Sequence, residues 1–279
     1  MKTYEMKTPP LKFEAKHTSK GNQLKWKQEG YWYKADQFGY EGVAETLIST
    51  FLNKQKVPFP FVTYEQVKII YDGKTYTGCR SRDFYEENPK LQGCVLIPLE
   101  RLHRQYTGDG LANHLAQFKE VEDRAKYAVE FVRNVTGLIR FDDYLSFLIQ
   151  IDAFSLNEDR HTNNIAVLWN PDADIYEYCP YFDFGLSLFA DIKEDFPLSM
   201  DYADCRKKIK AKPFSVDFDE QLDVCEKLGV SELKFPLRRQ QMRKEAEEAF
   251  EKIECDEAFR QRVIETLVYQ ANKYQYMFA

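Results

Sequence analysis

The sequence has no C-x-x-C pair, and Cys79, Cys94, Cys179, Cys205, Cys225 and Cys255 are scattered singly. That spacing argues against a zinc site and against a disulfide framework, so reduced thiols in a cytosolic protein are the expectation. No apolar run approaches the length of a membrane span, and Met1 to Lys16 has no apolar core of signal-peptide type. A cytoplasmic protein with no membrane attachment is therefore expected. Positive charge is not in excess either. The formal net charge of −6 argues against nucleic-acid binding driven by bulk charge. Internal repeats and low-complexity linkers are also missing, and His17, His103 and His114 lack metal-ligand spacing, which leaves them structural or surface roles.

What is present is a globular composition. The 279 residues include 21 Phe and 18 Tyr, enough large apolar side chains to exclude disorder as a whole-chain description. The first hundred residues read mostly as strand. Leu11, Phe13 and Ala15 alternate with Lys12, Glu14 and Lys16, the period-two mark of a half-buried strand. A polar segment, Thr18 to Gln23, separates this run from a second at Leu24 to Lys27, and Gln28-Glu29-Gly30 leads into a third at Tyr31 to Asp36. These three runs predict an antiparallel meander.

A helix follows at Glu41 to Asn53, with Val43, Ala44, Leu47, Ile48 and Phe51 on one stripe. Phe61 to Tyr71 and Lys74 to Cys79 flank Asp72-Gly73 as a hairpin, and Cys94 to Pro98 reads as one more strand. Beyond Leu99 the pattern is largely helical, with predicted helices at Asp123 to Val135, Phe141 to Phe154, Phe218 to Lys227, Arg238 to Ile253 and Ala258 to Tyr276. The expectation is an α+β chain, divided into a β-rich front lobe with one helix (1–98) and a helical rear lobe (99–279).

The most informative segment is Asn157-Glu158-Asp159-Arg160-His161-Thr162-Asn163-Asn164, a polar stretch between an apolar helix and the short strand Ile165 to Leu168. A predicted strand hairpin then leads to Phe182-Asp183-Phe184-Gly185. Phosphoryl transfer needs one carboxylate to accept the proton of the acceptor hydroxyl. It also needs an amide oxygen and a second carboxylate to hold Mg²⁺ on the ATP phosphates. Asp159, Asn164 and Asp183 supply those groups in the required order.

The segment N-x-D-x-H-x-x-N, with a hairpin and an Asp after it, resembles the catalytic signature of the HipA family of serine/threonine kinases. D-R-H-x-x-N with a later D-F-G is also similar to the phosphatidylinositol-kinase variant of the same two-lobed, protein-kinase-like fold. The resemblance implies Asp159 as catalytic base, Asn164 and Asp183 as metal ligands, and His161 and Asn157 as residues that shape the loop. It implies ATP and Mg²⁺ as cofactors, and a protein Ser or Thr hydroxyl as acceptor. A lipid or small-molecule kinase, or a nucleotide-binding pseudokinase, are the alternatives. It also brings in a DNA-binding partner of antitoxin type.

In the front lobe, Lys34 on the third strand is placed to neutralise the α- and β-phosphates, with a helix glutamate to hold it. Glu41 and Glu45 lie one turn apart on the same helix edge, and the sequence does not choose between them. Ser19, Lys20 and Gly21 occupy the turn where a phosphate-covering loop belongs, although Gly21 is its one glycine. The resemblance implies autophosphorylation of Ser19, or of Thr18, in that turn. Finally, Arg206 to Lys212 is a basic run placed where an activation or substrate loop belongs.

Overall fold

The alternating runs of the front third form a five-stranded sheet in the computed structural model, which describes residues 1–11, 23–54, 57–229, 233–236 and 238–278. The strands are β1 (Lys2–Glu5), β2 (Lys25–Gln28), β3 (Tyr31–Ala35), β4 (Tyr64–Tyr71) and β5 (Lys74–Arg82), in the spatial order β1-β4-β5-β3-β2. All neighbours are antiparallel except β1, which lies parallel to β4. Asp72 and Gly73 close the β4–β5 hairpin with φ of 51° and 69°, the left-handed pair that a two-residue turn of matching twist requires.

The expected strand at Leu11 to Lys16 lies outside the described residues from Lys12 onward. Leu11 itself donates its N–H to Lys25 O at 2.8 Å. β1 was not anticipated. It is a short, largely exposed edge strand, so its side chains carry little alternation.

Helix α1 (Glu41–Leu52) packs on β4 and β5 and is buried at every position except Thr50. The single apolar stripe understates this burial, because rear helices cover the opposite face. Contact with the sheet is close at Gly42, where a Cβ would fall 2.5 Å from the Gly78 carbonyl carbon. Gly78 leaves no room either, since its Cβ would meet Lys34 O at 2.0 Å. Gly42 thus sets the height of α1 above β5, and Gly78 the closeness of β5 to β3.

The remaining helices are α2 (Phe84–Glu87), α3 (Leu99–Thr107), α4 (Leu111–Leu115), α5 (Val121–Thr136), α6 (Phe141–Ser155), α7 (Tyr202–Lys208), α8 (Phe218–Leu228), α9 (Met242–Phe250) and α10 (Glu257–Lys273). α6 is buried everywhere except Asp142, and α5, α8 and α10 pack around it. A helix buried nearly all round belongs in the middle of a core, and here that burial includes Asp143, Gln150 and Asp152.

A second, antiparallel sheet of β6 (Val95–Pro98), β7 (Ala166–Asn170) and β8 (Ile175–Tyr178) completes an α+β fold. The last two predicted helices are shorter than expected, each trimmed by a 3₁₀ turn, at Arg239–Gln241 and Gln275–Met277. Conversely, the first part of the basic run is helical, forming the last turn of α7. None of the six cysteines is bridged, and no described helix is long and apolar enough to cross a membrane.

Because a Cβ at Gly42 would overlap the Gly78 backbone, Gly42→Ala forces helix and strand apart. We expect it to cost about 1–3 kcal/mol, read as a lower urea midpoint with an unchanged slope. An unaltered midpoint would show that α1 can lift off the sheet freely.

Candidate active site

The polar segment after α6 is held by a buried ion pair. α6 ends at Leu156 in the left-handed region, φ 53°, which turns the chain out of the core into Asn157. From there Arg160 points back inward and is fully buried. Its Nε and Nη2 donate to the Asp152 carboxylate at 2.8 and 3.1 Å. Its Nη1 donates to Asn164 O and to Phe182 O, both at 2.8 Å. One guanidinium therefore joins α6, the far end of the loop and the segment entering Asp183.

Asn157 completes the frame. Its Nδ2 donates to Asp152 Oδ1 at 2.8 Å, and its Oδ1 accepts the Asp159 N–H at 3.1 Å. Asn164 Nδ2 donates to Asp159 O at 2.9 Å.

Across the cleft, Lys34 reaches out from β3. Its Nζ donates to Glu45 Oε1 at 2.7 Å and to Asp183 Oδ1 at 3.0 Å. Glu45 Oε2 also accepts the Phe184 N–H at 2.9 Å, so α1 grips both the lysine and the D-F-G backbone. The structure thus pairs Lys34 with Glu45. Glu41, the other candidate, is spent elsewhere: its carboxylate accepts the N–H groups of Gln37, Phe38 and Gly39, each at 2.7 Å. A carboxylate in the first turn of a helix is drawn to unpaired amides there, which makes Glu41 a helix-start residue without contact to Lys34.

The charges in this cluster are unequal. Burial works to raise the Asp183 carboxyl, but the ammonium groups of Lys34 and Lys25 outweigh it and hold Asp183 well below the usual carboxylate range. Glu45 goes the other way, raised by its burial against the opposing pull of Lys34. Asp183 also has φ 63°, a conformation uncommon for a non-glycine residue and one that aspartate tolerates better than most.

Two lysines in this region escaped the sequence reading. Lys25 stands directly opposite Lys34 in the β2–β3 register and so shares its face of the sheet. Lys212, the last residue of the basic run, places Nζ 3.1 Å from Asp159 Oδ1. His161 Nε2 lies 3.6 Å from Asp159 Oδ2. Burial lowers the His161 pKa below its ordinary value despite the nearby Asp159 and Asp183 charges. For Lys25 the available signal was its alignment with Lys34 across the predicted hairpin. Lys212 had no signal beyond membership of the basic run. Ser19, Lys20, Gly21 and Thr18 lie outside the described residues.

No protein-family model matches the chain, and no curated protein matches its sequence. Solved structures do match. The Helicobacter pylori proinflammatory kinase CtkA aligns with a TM-score of 0.58 at 14% identity, over 91% of this chain and 92% of that one. Shewanella oneidensis HipA, solved in a toxin–antitoxin complex with HipB and operator DNA, aligns with a TM-score of 0.50 at 11% identity. That alignment spans 96% of this chain and 66% of HipA. The chain has a HipA-like kinase fold. At such identities the likeness speaks for the fold, and the roles of individual residues rest on the geometry above.

Two outcomes follow from the supports of this site. Removing Arg160 strands Asp152 without its cation, so Arg160→Met should cost about 3–5 kcal/mol in urea unfolding. Adding Asp152→Leu should cost less than the two single changes summed, because the stranded charge is removed. Additive losses would show that the pair is not coupled.

The second outcome concerns Asp36, beside the start of α1, whose carboxyl burial and the Glu41 charge push up to about 7. Its folded pKa exceeds its unfolded value, so ionisation weakens the fold increasingly as pH rises from about 4 to 7. Asp36→Asn should therefore match the parent near pH 4 and exceed it by about 1–3 kcal/mol above pH 7. A difference independent of pH would refute this.

Proposed function

We propose that this chain is an ATP- and Mg²⁺-dependent kinase that transfers the γ-phosphoryl group to a serine or threonine hydroxyl of a protein. The observation that carries the reading is the convergence of Lys34, Glu45 and Asp183, from three separate parts of the chain, next to a loop that Arg160 ties to the same D-F-G segment. Phosphoryl transfer asks a protein mainly for positioning and electrostatic stabilisation, and this cluster is built of charges fixed by hydrogen bonds.

In this reading Lys34 exchanges its contact with Asp183 for the ATP α- and β-phosphates while Glu45 keeps it aimed. Asn164, whose Nδ2 is committed to Asp159 O, offers its Oδ1, and Asp183 its carboxylate. These hard oxygen donors fit Mg²⁺ and would hold it. When bound, the ion neutralises phosphate charge.

The acceptor oxygen attacks the γ-phosphorus, and the bond from that phosphorus to the β–γ bridging oxygen breaks. The acceptor proton passes to Asp159, and ADP leaves with the bridging oxygen. Lys212 holds the Asp159 carboxylate through its Nζ at 3.1 Å, with the His161 ring beside it. The HipA likeness also supports a DNA-binding protein of antitoxin type as the partner class; affinity purification of the tagged chain from its native cells should co-recover such a protein, and recovery of this chain alone would refute it.

The experiment is a thermal-shift series followed by variant kinetics. A ligand that binds only the folded state stabilises it by about 2.7 kcal/mol at a hundredfold excess over Kd. Mg²⁺ and ATP together should raise the melting temperature more than either alone. Asp159→Asn should abolish transfer with nucleotide affinity nearly intact, because Asp159 acts on the acceptor. Asp183→Asn should abolish transfer and also weaken the Mg²⁺-dependent part of the shift. Indifference of the parent protein to millimolar Mg²⁺-ATP would sink the reading, and small, equal rate effects of the two variants would overturn the assignment of roles.

A further inference from the structure

Next to Asp159 lies a cavity of about 380 Å³ whose walls include Ala112 and Leu115 of α4 and Ala116 just after it, together with His161, Lys212 and Pro213. Two of these wall residues are the ones that touch the Asp159 carboxylate, Lys212 at 3.1 Å and His161 at 3.6 Å. On the kinase reading, the acceptor hydroxyl must come to Asp159, so a neighbouring part of the acceptor enters this cavity.

The wall chemistry narrows what that part is. Arg124 also lines the cavity, but its guanidinium donates to the carbonyls of Phe118, Lys119 and Phe214. Thr162 Oγ1 donates to Glu100 Oε2 at 2.8 Å. His161 Nδ1 accepts the Asn163 N–H at 3.2 Å, and Lys212 is held by Asp159. A sugar or an inositol headgroup brings several hydroxyls, each needing a partner when desolvated, and the polar groups of this wall are already engaged. The remaining surface, from Ala112, Leu115, Ala116 and Pro213, is apolar and shaped by the small side chains of Ala112 in α4 and Ala116 at its C-cap.

We propose that this cavity is the acceptor pocket and that it receives an apolar side chain adjacent to the phosphorylated Ser or Thr of a protein substrate. The proposal rests on the kinase reading and adds to it a substrate class and a specificity surface. A cationic neighbour in the substrate is disfavoured by Lys212. An acidic neighbour draws Lys212 away from Asp159 and breaks the ion pair that holds the carboxylate.

The test uses the full chain with Mg²⁺-ATP and three synthetic peptides carrying a central serine flanked by leucine, lysine or glutamate, alongside phosphatidylinositol vesicles. The leucine-flanked peptide should have a kcat/KM about tenfold above the other two, with no lipid phosphorylation. Ala112 and Ala116 are exposed, so larger residues there fill the cavity without disturbing the core. Ala116→Phe, and independently Ala112→Phe, should raise the peptide KM about tenfold and leave the Mg²⁺-ATP thermal shift unchanged.

Equal use of the three peptides, an unchanged KM in both filled variants, or preferential phosphorylation of the vesicles would each overturn the pocket assignment while the kinase reading stands. So would autophosphorylation with none of the peptides modified. Absence of both a Mg²⁺-ATP shift and any transfer would instead bring down the kinase reading, and this proposal with it.

Discussion

Arg160 is the residue on which the arrangement of the site depends. A fully buried guanidinium is tolerable only when its donors are satisfied and its charge is matched. Here Asp152 supplies the charge, and the carbonyls of Asn164 and Phe182 take further donors. The Phe184 ring lies 4.9 Å from the guanidinium carbon. Meeting all these demands at once leaves one relative placement of α6, the loop and the D-F-G segment. Asp159 and Asn164 inherit their positions from it, because both lie on the stretch of loop that Arg160 closes.

The front of the cleft is set by a different constraint, the closeness of α1 to the sheet. With no Cβ at Gly42, the helix sits low enough on β5 for Glu45 to reach Lys34. One ammonium then serves two carboxylates, and the balance is decided by what else each can find. Asp183 has a second lysine nearby and stays ionised, whereas Glu45 is buried and shifts upward. A cluster arranged this way holds positive charge on the side of the cleft where, on the proposed reading, phosphates enter. The Asp159 side carries its own cation, Lys212, delivered by a segment that follows α7.

Much of this architecture was legible from residue patterns. Alternation located β2 through β5, with the Asp72-Gly73 turn between the last two, and the apolar content of Phe141 to Phe154 located the central helix. Other features were not legible, for reasons specific to each. β1 has too little burial to write a period into its sequence. α7 was hidden because its last turn consists of Arg206, Lys207 and Lys208, which look like a charged loop and are also the residues that suit a helix C-terminus.

By itself the sequence determined the chemical inventory and its order: an Asp and an Asn in one loop, an Asp after a strand hairpin, and a lysine on an early strand. It also determined the elements that carry them, since helix and strand periods and turn residues are properties of near neighbours. Only the tertiary structure decided which of those groups meet. The choice of Glu45 over Glu41 depended on the height of α1 above the sheet and on the free amides that captured Glu41. The contacts of Lys34 with Asp183 and of Lys212 with Asp159 span 149 and 53 residues. A charge pair across such a distance is chosen by how the core packs, and packing is a sum over many side chains that no local stretch of sequence contains.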